Sequence, residues 1–322
     1  MTRILITGGS GFIGTNLVEY YARLGHEILN IDKESPQNPN HLQYWKPCNI
    51  LDLPKLKNDI SEFDPKYIFH LAARTDLDGR TLDEYQDNTV GVENLIEAIK
   101  CLNDLNGVIF FSSRLVCKIG YVPINSDDYR PSTFYGESKM IGEQIVKSSK
   151  TIPCPWDIVR PTSIWGPWFD IPYKNFFTAV INKRYFHPKG KNVFKSFGYV
   201  GNTVYELDRI MFRKELERGQ TFYLGDYPPL ELKQFADLIS IEYGGTGVPE
   251  IPLVILRFAA FLGDLIKYIG YKKVPLTSFR LDNIVTDMTY DLKPLQNIVG
   301  NLPFTMTEGV RTTLTWMNNS SA

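Results

Sequence analysis

The chain has 322 residues, 43% of them hydrophobic and 22% charged, with a formal net charge of −1. That length holds one large α/β domain, or a large domain and a small one, and the composition is that of a globular chain with a sizeable core. The balanced charge excludes the basic surplus of a nucleic-acid binder, and no acidic run marks a disordered tail.

Thr2-Arg3-Ile4-Leu5-Ile6 runs straight into a glycine motif, so no signal peptide is expected. Cys48, Cys101, Cys117 and Cys154 are scattered with no CxxC pair, and the four histidines are dispersed. Reduced thiols of a cytoplasmic protein and no metal site are therefore expected.

In chain order, residues 3–6 read as a strand, 14–24 as a helix, 27–31 as a strand and 67–71 as a buried strand. Residues 88–100 read as an amphipathic helix, 108–112 as a strand, 135–147 as a helix and 156–159 as a strand. This alternation predicts an α/β fold, a doubly wound parallel sheet wrapped by helices. Beyond Arg160, prolines and aromatics become frequent, as where a chain leaves a sheet to build a pocket; Trp165 and Trp168 read as core aromatics. The apolar stretch 251–270 is interrupted by Arg257, Asp264 and Lys267. A bilayer crossing needs about 20 uninterrupted apolar residues, so no membrane span is expected. The stretch reads as an amphipathic helix packed on the protein itself, with a peripheral membrane contact as the alternative.

Gly8-Gly9-Ser10-Gly11-Phe12-Ile13-Gly14 lies between a predicted strand and a predicted helix. Glycines there allow a tight turn and close backbone approach, so a pyrophosphate can sit on the amides of the helix N-terminus. Asp32, ending the next strand, can accept both hydroxyls of an adenosine ribose and would repel a 2′-phosphate. Together these predict a dinucleotide site selecting NAD over NADP, although the adjacent Lys33 tempers the repulsion.

Tyr135 and Lys139 are four residues apart on a predicted helix, hence on one face. An ammonium near a phenol stabilises the phenolate and lets it exchange a proton with a hydroxyl. Tyrosine and lysine at this spacing also occur in many ordinary helices. Ser112 and Ser113, however, end a predicted strand at the carboxyl rim where such sheets bind ligands.

With these segments in view, the chain resembles the extended short-chain dehydrogenase/reductase family, which holds NAD-dependent sugar-nucleotide epimerases, dehydratases and reductases. The resemblance covers nearly the whole chain. It rests on residues 7–14 (TGGSGFIG), 135–139 (YGESK), 70–73 (HLAA), 88–95 (NTVGVENL) and 160–167 (RPTSIWGP). It implies a Rossmann NAD domain over 1–162 with a return segment near 196–226. A smaller C-terminal substrate lobe would be built from 163–195 and 227–322.

It further implies that Ser113, Tyr135 and Lys139 are catalytic. The cofactor would lie along Gly8, Gly11, Phe12, Ile13, Gly14, Asp32, Lys33, Asn49, Ile50, Leu71, Ala72, Ala73, Asn88, Ser112 and Pro161, besides Tyr135 and Lys139. Thr75, Ser163, Asn175, Lys195 and Arg280 are the substrate-side candidates, each of which could equally be an ordinary polar or surface residue. Family members often pair two long helices, here around 88–100 and 135–147, into a homodimer.

Departures from the pattern narrow the chemistry. Dehydratases of the family place Asp-Glu directly after the catalytic hydroxyl residue, whereas this chain has Arg114-Leu115. Lys195 approximates an arginine, keeping the charge without the bidentate fork. The reading is NAD-dependent hydride transfer at a hydroxyl or keto carbon of a nucleotide sugar, first as a 4-epimerase. The alternatives are a keto-sugar reductase or dehydrogenase, a steroid-type alcohol dehydrogenase, and a non-catalytic dinucleotide sensor.

Overall fold

In the computed structural model of the protein, residues 1–213, 219–271, 274 and 276–319 are described. Strand β1 (Arg3–Thr7) buries Ile4, Leu5 and Ile6 completely, and their alternation sets the layering. Ile4 and Ile6 enter one apolar cluster and Leu5 another, because successive side chains of a strand point to opposite faces.

The chain continues through α1 (Phe12–Arg23), β2 (Glu27–Asp32), β3 (Trp45–Pro47), α2 (Leu53–Phe63) and β4 (Tyr67–His70). Next come α3 (Val90–Ile99), β5 (Gly107–Phe111), α4 (Phe134–Ser148), β6 (Trp156–Pro161), β7 (Ser163–Trp165) and α5 (Tyr173–Ile181). Then follow β8 (His187–Pro188), β9 (Phe194–Lys195), β10 (Phe197–Tyr199), α6 (Val200–Met211), β11 (Thr221–Leu224), β12 (Leu230–Glu231) and α7 (Leu232–Glu242). The last elements are β13 (Glu250–Ile251), α8 (Leu253–Tyr268), α9 (Ser278–Val285), α10 (Lys293–Val299) and α11 (Met306–Asn319).

Among the described residues the main sheet has seven strands in the order β11-β6-β5-β4-β1-β2-β3. Every pairing in it is parallel. One face packs on α1, α6 and α10 through Leu17, Tyr21, Leu207, Ile210 and Leu295. The other packs on α2, α3 and α4 through Leu56, Ile60, Leu95, Ile99 and Val146. This is the expected doubly wound α/β sheet. Its strand order reverses between β1 and β4, and a crevice opens outside the carboxyl ends of strands at such a switch point.

Some local features differ from the sequence reading. The helix expected from residue 88 begins at Val90, because 82–88 wind as 3₁₀ turns first. Strand β3 and helix α2 were not expected, although Asp52-Leu53-Pro54 carries a start signal: Asp52 caps α2 by accepting the Lys55 amide at 3.2 Å. A separate apolar cluster joins Trp165, Phe177, Phe197, Phe235 and Leu314 from β7, α5, β10, α7 and α11. Trp165 is buried there as expected, but Trp168 instead lines the cleft described below.

The largest correction concerns α8. It was expected to pack on the protein, yet it buries only Leu256, Ala260 and Gly263. Val254, Ile255, Phe258, Phe261, Leu262, Leu265 and Ile266 all stand exposed. The reason is a short partner: α9 is a helix of eight residues and covers one narrow side. Among the described residues no helix is long and apolar enough to cross a membrane. The four cysteines form no disulfide; Cys48, Cys117 and Cys154 are buried and Cys101 is exposed.

Candidate active site

A cleft of about 640 Å³ opens at the switch point. Gly8 sits at φ +75°, and a methyl group built on it would lie 2.5 Å from the Ala72 amide nitrogen. A methyl on Gly14 would run into the Gly8 carbonyl. These glycines are therefore needed for β1, α1 and the segment after β4 to meet. Gly11 caps α1 with no side-chain hydrogen bond, leaving first-turn amides free for an anion.

Asp32 closes this end of the cleft. Its carboxylate accepts the Ser10 and Glu34 amides, each at 3.0 Å. Burial, only partly offset by those amides, raises its pKa from the ordinary value. Lys33 is engaged by Asp87 at 2.9 Å. A residue the sequence reading missed, Asn30, is fully buried below the loop and donates to Ser10 Oγ at 3.1 Å.

At the other end, β5 delivers Ser112 and Ser113, and α4 delivers Tyr135 and Lys139 one turn apart. Thr133 caps α4 by accepting the Gly136 amide at 3.0 Å, which fixes where Tyr135 enters the cleft. Ser113 Oγ accepts the Leu115 amide at 3.1 Å. Burial raises the Tyr135 pKa, while a hydrogen bond with Ser113 and the charge of Arg114 pull it down. Lys139 donates to the Phe111 carbonyl at 3.0 Å, and its burial lowers its pKa to about 8, against the raising effect of Glu143 and Asp87.

His70, also missed, bonds Thr7 Oγ1 through Nδ1 at 2.7 Å. Burial and then the Lys139 charge lower its pKa to about 3, so it is neutral. Arg114 is half-buried, donates to Met288 Sδ at 3.6 Å and has the phenols of Tyr173 and Tyr290 for neighbours. The signal for it was its position, one residue past Ser113.

The cleft brings together Gly8, Gly11, Phe12, Ile13, Gly14, Asp32, Lys33, Asn49, Ile50, Leu71, Ala72, Ala73, Thr75, Ser112, Ser113, Tyr135, Lys139 and Pro161. Asn88 is not among its lining residues. It is buried behind, where its amide group bonds both the Arg74 amide (2.9 Å) and carbonyl (3.0 Å) and donates to Ser138 Oγ at 2.9 Å. Asn88 thus ties the 72–75 segment to α4.

Four substrate-side candidates are also off the lining. Ser163 is buried in β7, paired with Phe197 of β10. Asn175 is exposed on α5. Lys195 is buried and donates to the Asn283 carbonyl at 2.7 Å and the Thr286 carbonyl, tying β9 to the end of α9. Its pKa falls to about 8 through burial and then the Arg114 charge, with Asp287 opposing. Arg280 is exposed on α9 and donates to the Val274 carbonyl. Spacing could not place these four, because the short strands and helices that carry them are positioned by contacts far away in sequence. Among the described residues no cluster of three or more metal-ligating side chains occurs.

Residues 4–199 match the model of the NAD dependent epimerase/dehydratase family, and the chain belongs to that family. The cradle fits the NAD that the family uses, since the glycines leave room that a Cβ would fill and Asp32 places a carboxylate in the lining of the cleft. A 3-beta-hydroxysteroid dehydrogenase of Mycolicibacterium neoaurum is 27% identical, over 75% of this chain and 70% of that protein. The N-acetyl-alpha-D-glucosaminyl-diphospho-ditrans,octacis-undecaprenol 4-epimerase of Escherichia coli O157:H7 is 23% identical, over 97% of this chain and 94% of that one. Among solved structures, the UDP-glucose 4-epimerase of Thermotoga maritima, with UDP-glucose, superposes with a TM-score of 0.75. That pair is 19% identical over 99% of this chain and 100% of the other, a likeness of fold.

Proposed function

We propose that the protein is an NAD-dependent 4-epimerase acting on a nucleotide sugar. The observation that carries this reading is Tyr135, Lys139 and Ser113 on one rim with the glycine cradle, while Arg114-Leu115 follow Ser113. Tyr135 takes the proton of the sugar hydroxyl, and Ser113 holds the same oxygen by hydrogen bonding. Lys139, charged and buried, stabilises the phenolate that Tyr135 passes through. NAD held by the glycine cradle would supply the acceptor and donor for the hydride of that carbon. Tyr135 returns its proton after the keto sugar has turned over, so the hydroxyl is rebuilt on the opposite face. Elimination needs a base at C5 and an acid for the leaving hydroxyl, and Arg114 and Leu115 supply neither.

In this reading Gly8, Gly11, Gly14 and Asp32 hold the dinucleotide, Thr75 and Arg114 lie toward the sugar, and Lys195 supports the substrate side through β9. The large unit built on 1–162 and the 196–226 return would carry NAD, with 163–195 and 227–322 forming the substrate lobe. We place the enzyme in the cytoplasm as a homodimer paired through α3 and α4.

The test is Tyr135→Phe, which should retain NAD binding while turnover of the epimerised nucleotide sugar falls by about 100-fold or more. In heavy water the product should carry no deuterium on carbon. Deuterium at C5 or C6 together with loss of water would overturn the reading in favour of dehydration.

A second reading, favoured by the exposed apolar face of α8, keeps the chemistry and changes the carrier. The sugar diphosphate would then be borne on a lipid, or the substrate would be a hydrophobic alcohol. Turnover of detergent-dispersed polyprenyl-diphosphate sugar, with none of soluble nucleotide sugars, would select it.

A further inference from the structure

Helix α8 turns its apolar side to solvent. At about 100° per residue, Val254, Phe258, Phe261, Leu265 and Tyr268 form one exposed stripe, and Ile255, Leu262, Ile266 and Ile269 form another beside it. Together they cover close to half the circumference, on the side away from Leu256, Ala260 and Gly263, which pack on α9 and its flanking segments. Val254 is 78% exposed, Phe258 64% and Tyr268 91%; nearby on α9, Phe279 is 69% exposed. An apolar surface of this extent on a folded protein marks an interaction site.

Charge and shape point to the occupant. The exposed charged residues of α8 itself, Arg257 and Lys267, are both cationic. Lys189, exposed, lies at its start, where the Lys189 amide donates to the Ile251 carbonyl at 2.9 Å. Asp264 is half-buried and turned to the Ser278 amide of α9, and the exposed carboxylates Glu250 and Asp282 lie outside the apolar stretch. A second copy of the helix would need only the narrow seam of a coiled coil and would bring like charges together. A wide apolar face edged by Arg257, with Lys189 near its start and Tyr268 and Tyr271 exposed at its other end, has the build of a helix lying in a membrane interface.

We propose that the protein docks peripherally on an anionic lipid surface through α8, with α9 beside it. The segment after α9 touches the neighbour of Ser113, for Met288 accepts from Arg114, and Lys195 holds the carbonyls of Asn283 and Thr286. The proposal is independent of which substrate the cleft takes.

The experiment is vesicle flotation of the full chain with two compositions, pure phosphatidylcholine and phosphatidylcholine with about 30% phosphatidylglycerol, which gives a strong surface charge. Wild type should float with the anionic vesicles, several-fold more than with the neutral ones, and salt should reduce the difference. Phe258→Glu/Leu265→Glu should lose flotation by roughly tenfold or more, because charge is placed in the apolar stripe. NAD-induced thermal stabilisation in that variant reports that the fold is kept. Equal flotation of variant and wild type, or none of wild type, overturns the proposal. So does light scattering that shows a wild-type dimer dissociated by the same double substitution, since the face would then belong to a second copy.

Discussion

Arg114 and Tyr135 are coupled through charge. The guanidinium, one residue beyond Ser113, pulls the phenol pKa down, while burial, the larger effect, pushes it up. Arg114→Leu leaves burial less opposed, so the phenol pKa rises further. The limb of the pH–rate profile that requires the phenolate should then move to higher pH, and Arg114→Lys should hold it near the wild-type position. Measuring kcat/KM from about pH 6 to 10 checks this. A limb unmoved in the leucine variant would refute the coupling.

Asp32 accepts two backbone amides and faces the cleft. Asp32→Ala removes both acceptors and the charge that opposes a 2′-phosphate. NAD binding should weaken by about tenfold, roughly 1.4 kcal/mol, with NADP changing less, so that the preference narrows. Titration of both cofactors into both proteins decides it, and a wild-type preference for NADP would contradict the assignment.

Glu206 of α6 is completely buried, and burial followed by the charge of Asp226 lifts its pKa well above the carboxylate range, the Gly225 amide opposing. A raised folded pKa means stability that is fully present below the unfolded value, 4.5, and is lost as pH rises toward the folded one. Glu206→Gln keeps a neutral group at every pH. Its Tm should match wild type near pH 4.5 and exceed it at pH 8, each kcal/mol recovered being worth about 2–4 °C. Calorimetry across that range is the check; a gap that does not widen with pH rules out the buried proton.

Arg160 and Glu143 form a buried bidentate pair, at 2.8 Å from Nε and 2.7 Å from Nη2. Glu143→Gln strands the arginine charge and should cost about 3–5 kcal/mol, whereas Arg160→Met/Glu143→Leu should recover most of the loss. Lys139, whose charged form Glu143 supports, should lose its proton at a lower pH in the single variant. Urea denaturation of the two variants tests the first statement, and a single variant as stable as wild type would disprove it.

Much of the cofactor end was legible because it is local. Gly8, Gly11, Gly14 and Asp32 belong to one strand–turn–helix–strand unit, and Tyr135 and Lys139 are adjacent on one helix face by the 3.6-residue period. Each pattern is imposed by backbone geometry within about 30 residues, so it is visible in the chain itself. The family resemblance supplied Ser113, and the cleft includes it.

Where periodicity stopped, the reading stopped too. Asn88, in a motif read as cofactor-facing, turns out to brace Arg74 against Ser138, since a side chain's direction at a 3₁₀–α junction depends on both neighbours. Ser163, Asn175, Lys195 and Arg280 sit on short strands or helices whose positions are set by contacts far away in sequence.

The sequence by itself determined the parallel sheet, the glycine cradle and the Tyr135–Lys139 face, because strand and helix periods and glycine sterics act over short chain distances. Only the tertiary structure decided that Arg114 stands beside Tyr135, that Lys195 is spent on backbone carbonyls, and that α8 leaves its apolar side uncovered. An amphipathic pattern states that a helix has an apolar face; whether protein covers that face depends on how much surface its neighbours offer, and α9 offers only eight residues.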